Sequence, residues 1–419
     1  MGLFSLYDLS YADQAGLTVE EAIRLALVRN ERAQIAERRV TAAAARVDRA
    51  RAFFFPDLTA SGTYVVRGFE ARGGRIVTEV DADDLSAAVA LDLALFDARA
   101  FPLYRQARLE RRAAELGAAD EKRLLAFEAA DAFLRTLGVE QVQASAERRL
   151  AFARQTVEDT TTRFEAKLVS VNDVTRAQLE LATAEREATI AQGETQRFRE
   201  QLGHLIDTRI EGPLVIPEHL LSPPDPGDPN RLVIEAQARR PDIAAGRARA
   251  DALEAFAEEP GRRLIPILGL TSQFEETFEA GPNERDWFVG LNLTWPLYDG
   301  GERRADRNER QALAKIADLE VLSAQRQVER DVRQALIAIE SDRAATRQAT
   351  VAVEVGRKNA EEVTTLYRQG LAGALTVADA NIRLFEAEVA LARARYGLGL
   401  SLLNLRTALG LNPLGHEER

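Results

Sequence analysis

The sequence predicts a mixed α and β chain in which four membrane-type β-strands are joined by very long α-helices, the plan being written twice. Three observations carry this reading. Phe101 to about Glu165 and Glu302 to Gln369 contain almost no helix breaker. Four other stretches alternate apolar residues with small or polar ones. Landmark residues of the first half recur in the same order in the second.

Composition sets the bounds. The chain has 419 residues, with 46% hydrophobic, 29% charged and only 6% aromatic content. Long Ala-, Leu-, Glu- and Arg-rich helices fit that mix better than a thick globular core does. A net charge of −11 argues against a nucleic-acid partner. There is no cysteine, and His204, His219 and His416 are scattered, so no metal site, cofactor or disulfide framework is called for. No run of about 18 apolar residues supplies a membrane helix. Met1 to Tyr11 lacks a basic leader pattern, so the signal peptide of an exported protein is expected to be absent from this sequence.

The duplication is visible in pairs. Asn30-Glu31-Arg32-Ala33 is matched by Arg240-Pro241-Asp242-Ile243, Leu95-Phe96-Asp97 by Leu297-Tyr298-Asp299, and Arg163-Phe164 by Leu366-Tyr367. Residues 1–211 form the first repeat and 231–419 the second. A linker, 212–230, lies between them and is dense in proline, which forbids a helix and favours an extended chain.

Each repeat reads as helix, two strands, long helix, turn and return helix. Leu17 to Arg51 is the first helix, with Thr18 and Glu21 spaced as a capping box. Strands follow at 56–67 and 86–96, and again at 265–276 and 287–297. Asp97 and Asp299 are placed to cap the long helices behind them. Each long helix would span roughly 100 Å if unbroken. The tip turns fall at 166–172 and 370–375. Alanines such as Ala129, Ala130, Ala344 and Ala345 permit close helix–helix approach.

The strands carry the membrane reading. Val89, Leu91, Leu93 and Leu95 alternate with Ala88, Ala90, Asp92 and Ala94, while Val289, Leu291, Leu293 and Trp295 alternate with Gly290, Asn292 and Thr294. About ten residues suffice to cross a bilayer as a tilted strand, with one face towards lipid and the other towards a wet lumen. Aromatics gather at the strand ends. Phe54, Phe96, Trp295 and Tyr298 stand at the helix junctions, and Phe69 and Trp287 towards the hairpins, as in girdles at the two headgroup levels. Four strands cannot enclose a lumen, because small membrane barrels need about eight. Three copies of the chain would give twelve and close the ring by symmetry.

With these features assembled, the chain resembles the TolC-like outer-membrane efflux (channel-tunnel) family over nearly its whole length. The resemblance rests on Leu17-Thr18-Val19-Glu20-Glu21-Ala22, on Trp295-Pro296-Leu297-Tyr298-Asp299-Gly300-Gly301, and on the two tips, Arg163 to Val174 and Tyr367 to Val377. It implies a homotrimer with a twelve-stranded barrel in outer-membrane lipid and a long α-helical barrel across the periplasm of a Gram-negative bacterium. It further implies docking to a periplasmic adaptor and an inner-membrane pump of an efflux or type I secretion system. The adaptor would meet the tips, Lys167, Leu168, Val169, Ser170, Gly370, Leu371 and Ala372.

The resemblance also implies a gate. Tyr367 and Asp173 match a tyrosine–carboxylate latch. Ala372 stands where a second latch uses arginine. Of two inward carboxylate positions, the first reads Thr376 and the second Asp379. Carboxylates gathered at an axis would repel one another and attract a cation. Beside these roles stand plainer ones: Asp173 as a helix cap and Asp379 as a solvated helix residue.

No constellation supports an enzyme. Gly300-Gly301 lacks the residues of a phosphate loop and reads as a strand-to-helix hinge. Pairs such as Glu361-Glu362 read as solvated faces. The rival to a duct is a soluble coiled-coil scaffold, which accounts for the helices but leaves the alternating strands and aromatic ends unexplained.

Overall fold

The computed structural model describes residues 16–66, 71–72, 75–76, 83–221, 225, 227–278 and 284–414. Phe69, Pro223, Pro224, Pro226, His416 and Met1–Tyr11 lie outside them. In chain order the elements are α1 (Val19–Arg29), α2 (Glu31–Ala52), β1 (Asp57–Val66), β2 (Ala71–Arg72), β3 (Arg75–Ile76), β4 (Asp83–Phe96), α3 (Ala100–Glu165) and α4 (Val171–Ile206). They continue with α5 (Glu218–Leu221), α6 (Pro229–Arg239), α7 (Pro241–Arg262), β5 (Ile267–Phe278), β6 (Glu284–Thr294), α8 (Glu302–Arg368) and α9 (Ala374–Ala408). The chain divides into two compact units, and α2, α3, α7 and α8 each contribute residues to both.

The first unit comprises 1–37, 118–243 and 324–419. It is helical, and its largest core joins Val19 and Ile23 of α1 to Leu125, Phe133 and Leu134 of α3. Leu202 and Ile206 of α4 and Leu402 and Leu403 of α9 complete that core. A second core sets Val233 of α6 against Val328, Val332 and Ile339 of α8 and Leu405 of α9. A third is built largely from alanine, Ala146, Ala188 and Ala191 with Leu150 and Phe385 beside them. Small side chains bring helix axes close and bury little apolar area per residue.

The helix expected over Leu17 to Arg51 is broken at Asn30, whose ψ of 134° is extended. The Asn30 side chain accepts the Arg32 N–H at 3.0 Å and donates to the Leu205 carbonyl at 3.0 Å. It therefore caps α2 while tying the chain to the end of α4. Thr18 caps α1, accepting the Glu21 N–H at 3.2 Å, but the Glu21 carboxylate turns to Arg24, so only half of the expected box forms. The Pro-rich segment is not the helix-free extended linker expected: α5 lies within it, between its prolines, and α6 begins at Pro229, a first-turn position that needs no N–H donor. Leu17 and Leu214 form a parallel bridge, and Leu220 and Leu221 of α5 are buried.

The second unit comprises 38–117 and 244–323 and holds the main sheet. Its strands run antiparallel in the order β1-β4-β5-β6. β4 and β5 come from opposite halves of the chain, and Val89 pairs with Phe274 across them. β4 and β6 each begin a few residues before the expected positions, at Asp83 and Glu284.

Candidate gate and membrane face

In the second unit, register decides which side chains share a face. Leu58 pairs with Leu91, Leu270 with Leu291 and Leu268 with Leu293. The opposite face carries Asp57 beside Asp92, with Thr271 donating its hydroxyl to Asp92 at 3.0 Å. The apolar face is bare: Leu291 is 71% exposed, Trp287 70% and Leu58 67%. A contiguous apolar face on a sheet of this size calls for lipid or protein over it. Among the described residues, both outer strands, β1 and β6, have one unpaired edge.

The aromatic ends are built locally. Phe54 lies 5.5 Å from the Phe101 ring and 6.0 Å from that of Tyr104, and Phe96 lies 6.4 Å from Phe101. Trp295 donates its indole N–H to the Leu264 carbonyl at 3.1 Å while its ring stays exposed, and Tyr298 is more exposed still. An apolar ring with a satisfied polar atom suits a headgroup level.

Corners between strand and helix are fixed by charge. Asp299 accepts the N–H groups of Gly301 at 3.1 Å and Arg303 at 3.0 Å, which hold its carboxyl below the usual range. It thereby caps α8, as expected. Asp97 accepts the Arg99 N–H at 2.9 Å and pairs with that residue's guanidinium at 2.7 Å. Sequence reasoning missed Glu259. Buried on α7, it takes two bonds from Arg263, at 2.9 and 3.0 Å, and one from Arg310 at 2.6 Å. Its only signal in the sequence was one carboxylate among many in a charged helix.

In the first unit, α3 and α8 approach the tips with threonine-rich turns. Thr156, Thr160, Thr161 and Thr162 on α3, and Thr364 and Thr365 on α8, each donate to the carbonyl four residues back. Such bonds bend helices slightly. Both turns close alike: Leu168 N–H donates to Arg163 O at 2.9 Å, and Leu371 N–H to Leu366 O at 2.9 Å. Left-handed residues make the reversals, Lys167 at φ 61° and Gly370 at φ 78°.

Within the protomer, Tyr367 and Asp173 are not brought together. The Asp173 carboxylate accepts the backbone N–H of Ser170 at 3.0 Å and its hydroxyl at 2.7 Å. Ser170 in turn accepts the Asp173 N–H at 3.3 Å, completing a capping box at the start of α4. Ser170, not Asp173, is thus the cap. The Ser170 bonds hold the Asp173 carboxyl below the usual carboxylate range. Tyr367 is buried, packed with Val377 and Ala374, and its hydroxyl lies 3.3 Å from that of Thr160. Thr376 is exposed, and Asp379 is exposed and paired with Arg383 at 2.9 Å. Leu168 and Leu371 stand out at the two apices, 75% and 73% exposed, while Val169 and Ala372 are half-buried. Behind the tips a cavity of about 330 Å³ is lined by Phe152, Arg176, Leu375 and Asp379 among others. Arg149, buried beside it, ties α3 to α4 through Glu180 at 2.5 Å and through Glu187.

A mainly helical chain with long helices and an open four-stranded sheet, apolar on one face, is the architecture of outer-membrane channel subunits. Residues 232–411 match the family described as outer membrane efflux protein. The chain is 22% identical to the outer membrane protein TolC of Escherichia coli K12, over 88% of its own length and 77% of that protein. It is 27% identical to nodulation protein T of Rhizobium leguminosarum bv. trifolii, over 91% of its own length and 83% of that protein. Its fold is that of the Campylobacter jejuni CmeC outer membrane channel, with a TM-score of 0.80 and 16% identity, over 94% of this chain and 85% of that one. The second half of the chain is thus similar to the outer-membrane efflux protein family, and nearly the whole chain is similar to outer-membrane proteins of Gram-negative bacteria, the resemblance that the sequence implied.

Proposed function

We propose that three copies of this chain close a twelve-stranded barrel and form a passive exit duct that carries substrate from an inner-membrane pump to the exterior. The observation that carries the assembly is the sheet with one bare apolar face and two unpaired edges. In hydrocarbon an unpaired edge leaves backbone groups without partners, each costing several kcal/mol, and only closure removes it. β6 of one copy pairing with β1 of the next satisfies both edges by one symmetric contact. The long helices form the periplasmic part of each of the two repeats, 1–211 and 231–419, and the linker 212–230 joins them.

Transport through such a duct requires no bond-breaking chemistry, and the energy comes from the partner pump. The tips gate the periplasmic end through Asp173, Tyr367, Thr376 and Asp379. A periplasmic adaptor docks at Lys167, Leu168, Val169, Ser170, Gly370, Leu371 and Ala372. Two projecting leucines, Leu168 and Leu371, supply apolar anchors for that contact.

The test is single-channel conductance of detergent-extracted protein in a planar bilayer, with oligomer mass from the same preparation. A trimer with a small resting conductance fits the gated duct. A monodisperse protein that needs no detergent and gives no conductance would replace it with the scaffold reading.

A further inference from the structure

Tyr367 is gripped by the last turn of α3. The Arg163 guanidinium lies over its ring, 4.3 Å from the centroid, and donates to its backbone carbonyl at 3.1 Å. The Thr160 hydroxyl lies 3.3 Å from the phenol oxygen. We propose that Arg163 is a positioning residue of the gate, which together with Thr160 clamps the end of α8 to the end of α3 and holds each protomer's tips in the resting arrangement. The proposal rests on the duct reading above.

Proton directions can be assigned. Thr160 Oγ1 donates to the Thr156 carbonyl at 2.7 Å, so its only proton is committed there. Tyr367 must then be the donor to Thr160. Thr160 is fully buried and Tyr367 is 6% exposed, so water does not compete for this bond. Breaking it without replacement would strand a buried phenol.

Three favourable terms converge at Arg163. Tyr367 O belongs to the last turn of α8 and already accepts the Gly370 N–H at 3.0 Å, and the negative end of the helix there favours a cation as its second partner. The guanidinium cation lies over the electron-rich ring face. The donated hydrogen bond fixes direction as well as distance. Among the described residues no carboxylate pairs with Arg163, and its charge faces Tyr367 and the α8 end.

The carboxylate matched to the latch is engaged elsewhere. Asp173 is held by Ser170 through three bonds in the capping box. In the second turn, Ala372 offers no cation. The clamp is one-sided because the duplication is imperfect: the arginine stands in Arg163-Phe164 and the tyrosine in Leu366-Tyr367, and neither pair has both. Opening the gate by moving α8 against α3 must therefore break the stacking, the arginine bond and the phenol bond together.

The experiment compares resting conductance of full-length trimers carrying Arg163→Ala, Arg163→Lys and Thr160→Val with that of the unaltered protein. Trimer mass and thermal melting are followed alongside. Arg163→Ala is expected to raise resting conductance several-fold at unchanged trimer mass. Arg163→Lys should lie between, since the charge remains near the carbonyl but the flat stacking is lost. Thr160→Val should give a smaller rise. Trimeric Arg163→Ala with unaltered conductance would overturn the clamp. Where Arg163→Ala fails to assemble, trimeric Arg163→Lys with unaltered conductance overturns it. Absence of any pore in the unaltered protein would instead overturn the duct itself.

Discussion

The two hairpin tips are built on one backbone plan and stabilised differently. Both reverse through a left-handed residue and both close with an N–H donated back across the turn. The first tip uses Lys167 at φ 61° where the second uses Gly370 at φ 78°. The first enters α4 through the Ser170–Asp173 capping box, whereas the second enters α9 at Gly373 with no side-chain cap. The first tip thus accepts backbone strain and adds side-chain bonds, while the second accepts neither. The side-chain contacts that hold the second tip come from α3, where Arg163 and Thr160 meet Tyr367. A tip secured by contacts to a neighbouring hairpin can be released by a partner, whereas one secured by its own cap moves as a rigid piece.

The largest expected effect tests the left-handed residues. Gly370→Val places a β-branched residue at a positive φ, which costs about 1–3 kcal/mol. No atom lies within 4 Å of the added Cβ, so the cost is backbone strain alone. Amide exchange around Leu371 should accelerate about tenfold or more. Lys167→Gly should instead leave the first tip as protected as before or more so. Equal responses at the two positions would erase the comparison.

Next comes the cap. Ser170→Ala removes the acceptor of the Asp173 N–H and costs about 1 kcal/mol, a rise of about fivefold in exchange at the start of α4. Acid should act through the same box. The Asp173 carboxyl is held below its usual value by Ser170, so its contribution is complete above the ordinary carboxylate range and is lost as pH falls through the lowered value. Exchange at Asp173, corrected for its intrinsic rate, should be constant from about pH 7 to 5 and rise below about pH 4. The second tip has no acidic cap to lose, and a matching rise at Thr376 would show that acid acts elsewhere.

Much of this was legible in the sequence because it depends on local rules. Alternation exposed the strands, the absence of breakers exposed α3 and α8, and Gly370 marked its turn. What depended on partners far along the chain was not legible. The break at Asn30 needs the Leu205 carbonyl, and the burial of Leu220 and Leu221 within a proline-rich stretch needs a core formed by other helices. Glu259 looked like any surface acid until Arg263 and Arg310 closed on it. Position alone matched Tyr367 to Asp173, while within the protomer the tyrosine meets Thr160 and Arg163.

The smallest effect is the most direct on the second tip. Gly373 already has the extended geometry of a cap residue, φ −86° and ψ 158°, and open space surrounds its absent Cβ. Gly373→Ser therefore introduces a hydroxyl in position to accept the Thr376 N–H without moving the chain. Glycine is itself a tolerable cap, so the gain is only a few tenths of a kcal/mol, less than a threefold slowing of exchange at Thr376. Adding Thr376→Glu supplies the reciprocal acceptor for the Gly373 N–H, which the first tip obtains from Asp173. The pair should slow exchange at α9 towards the level of α4; if Gly373→Ser alone, which adds no charge near the gate, lowers resting conductance, the missing cap is part of what leaves the second tip free to move. If exchange slows and conductance does not change, release of this tip is governed by the Tyr367 contacts alone.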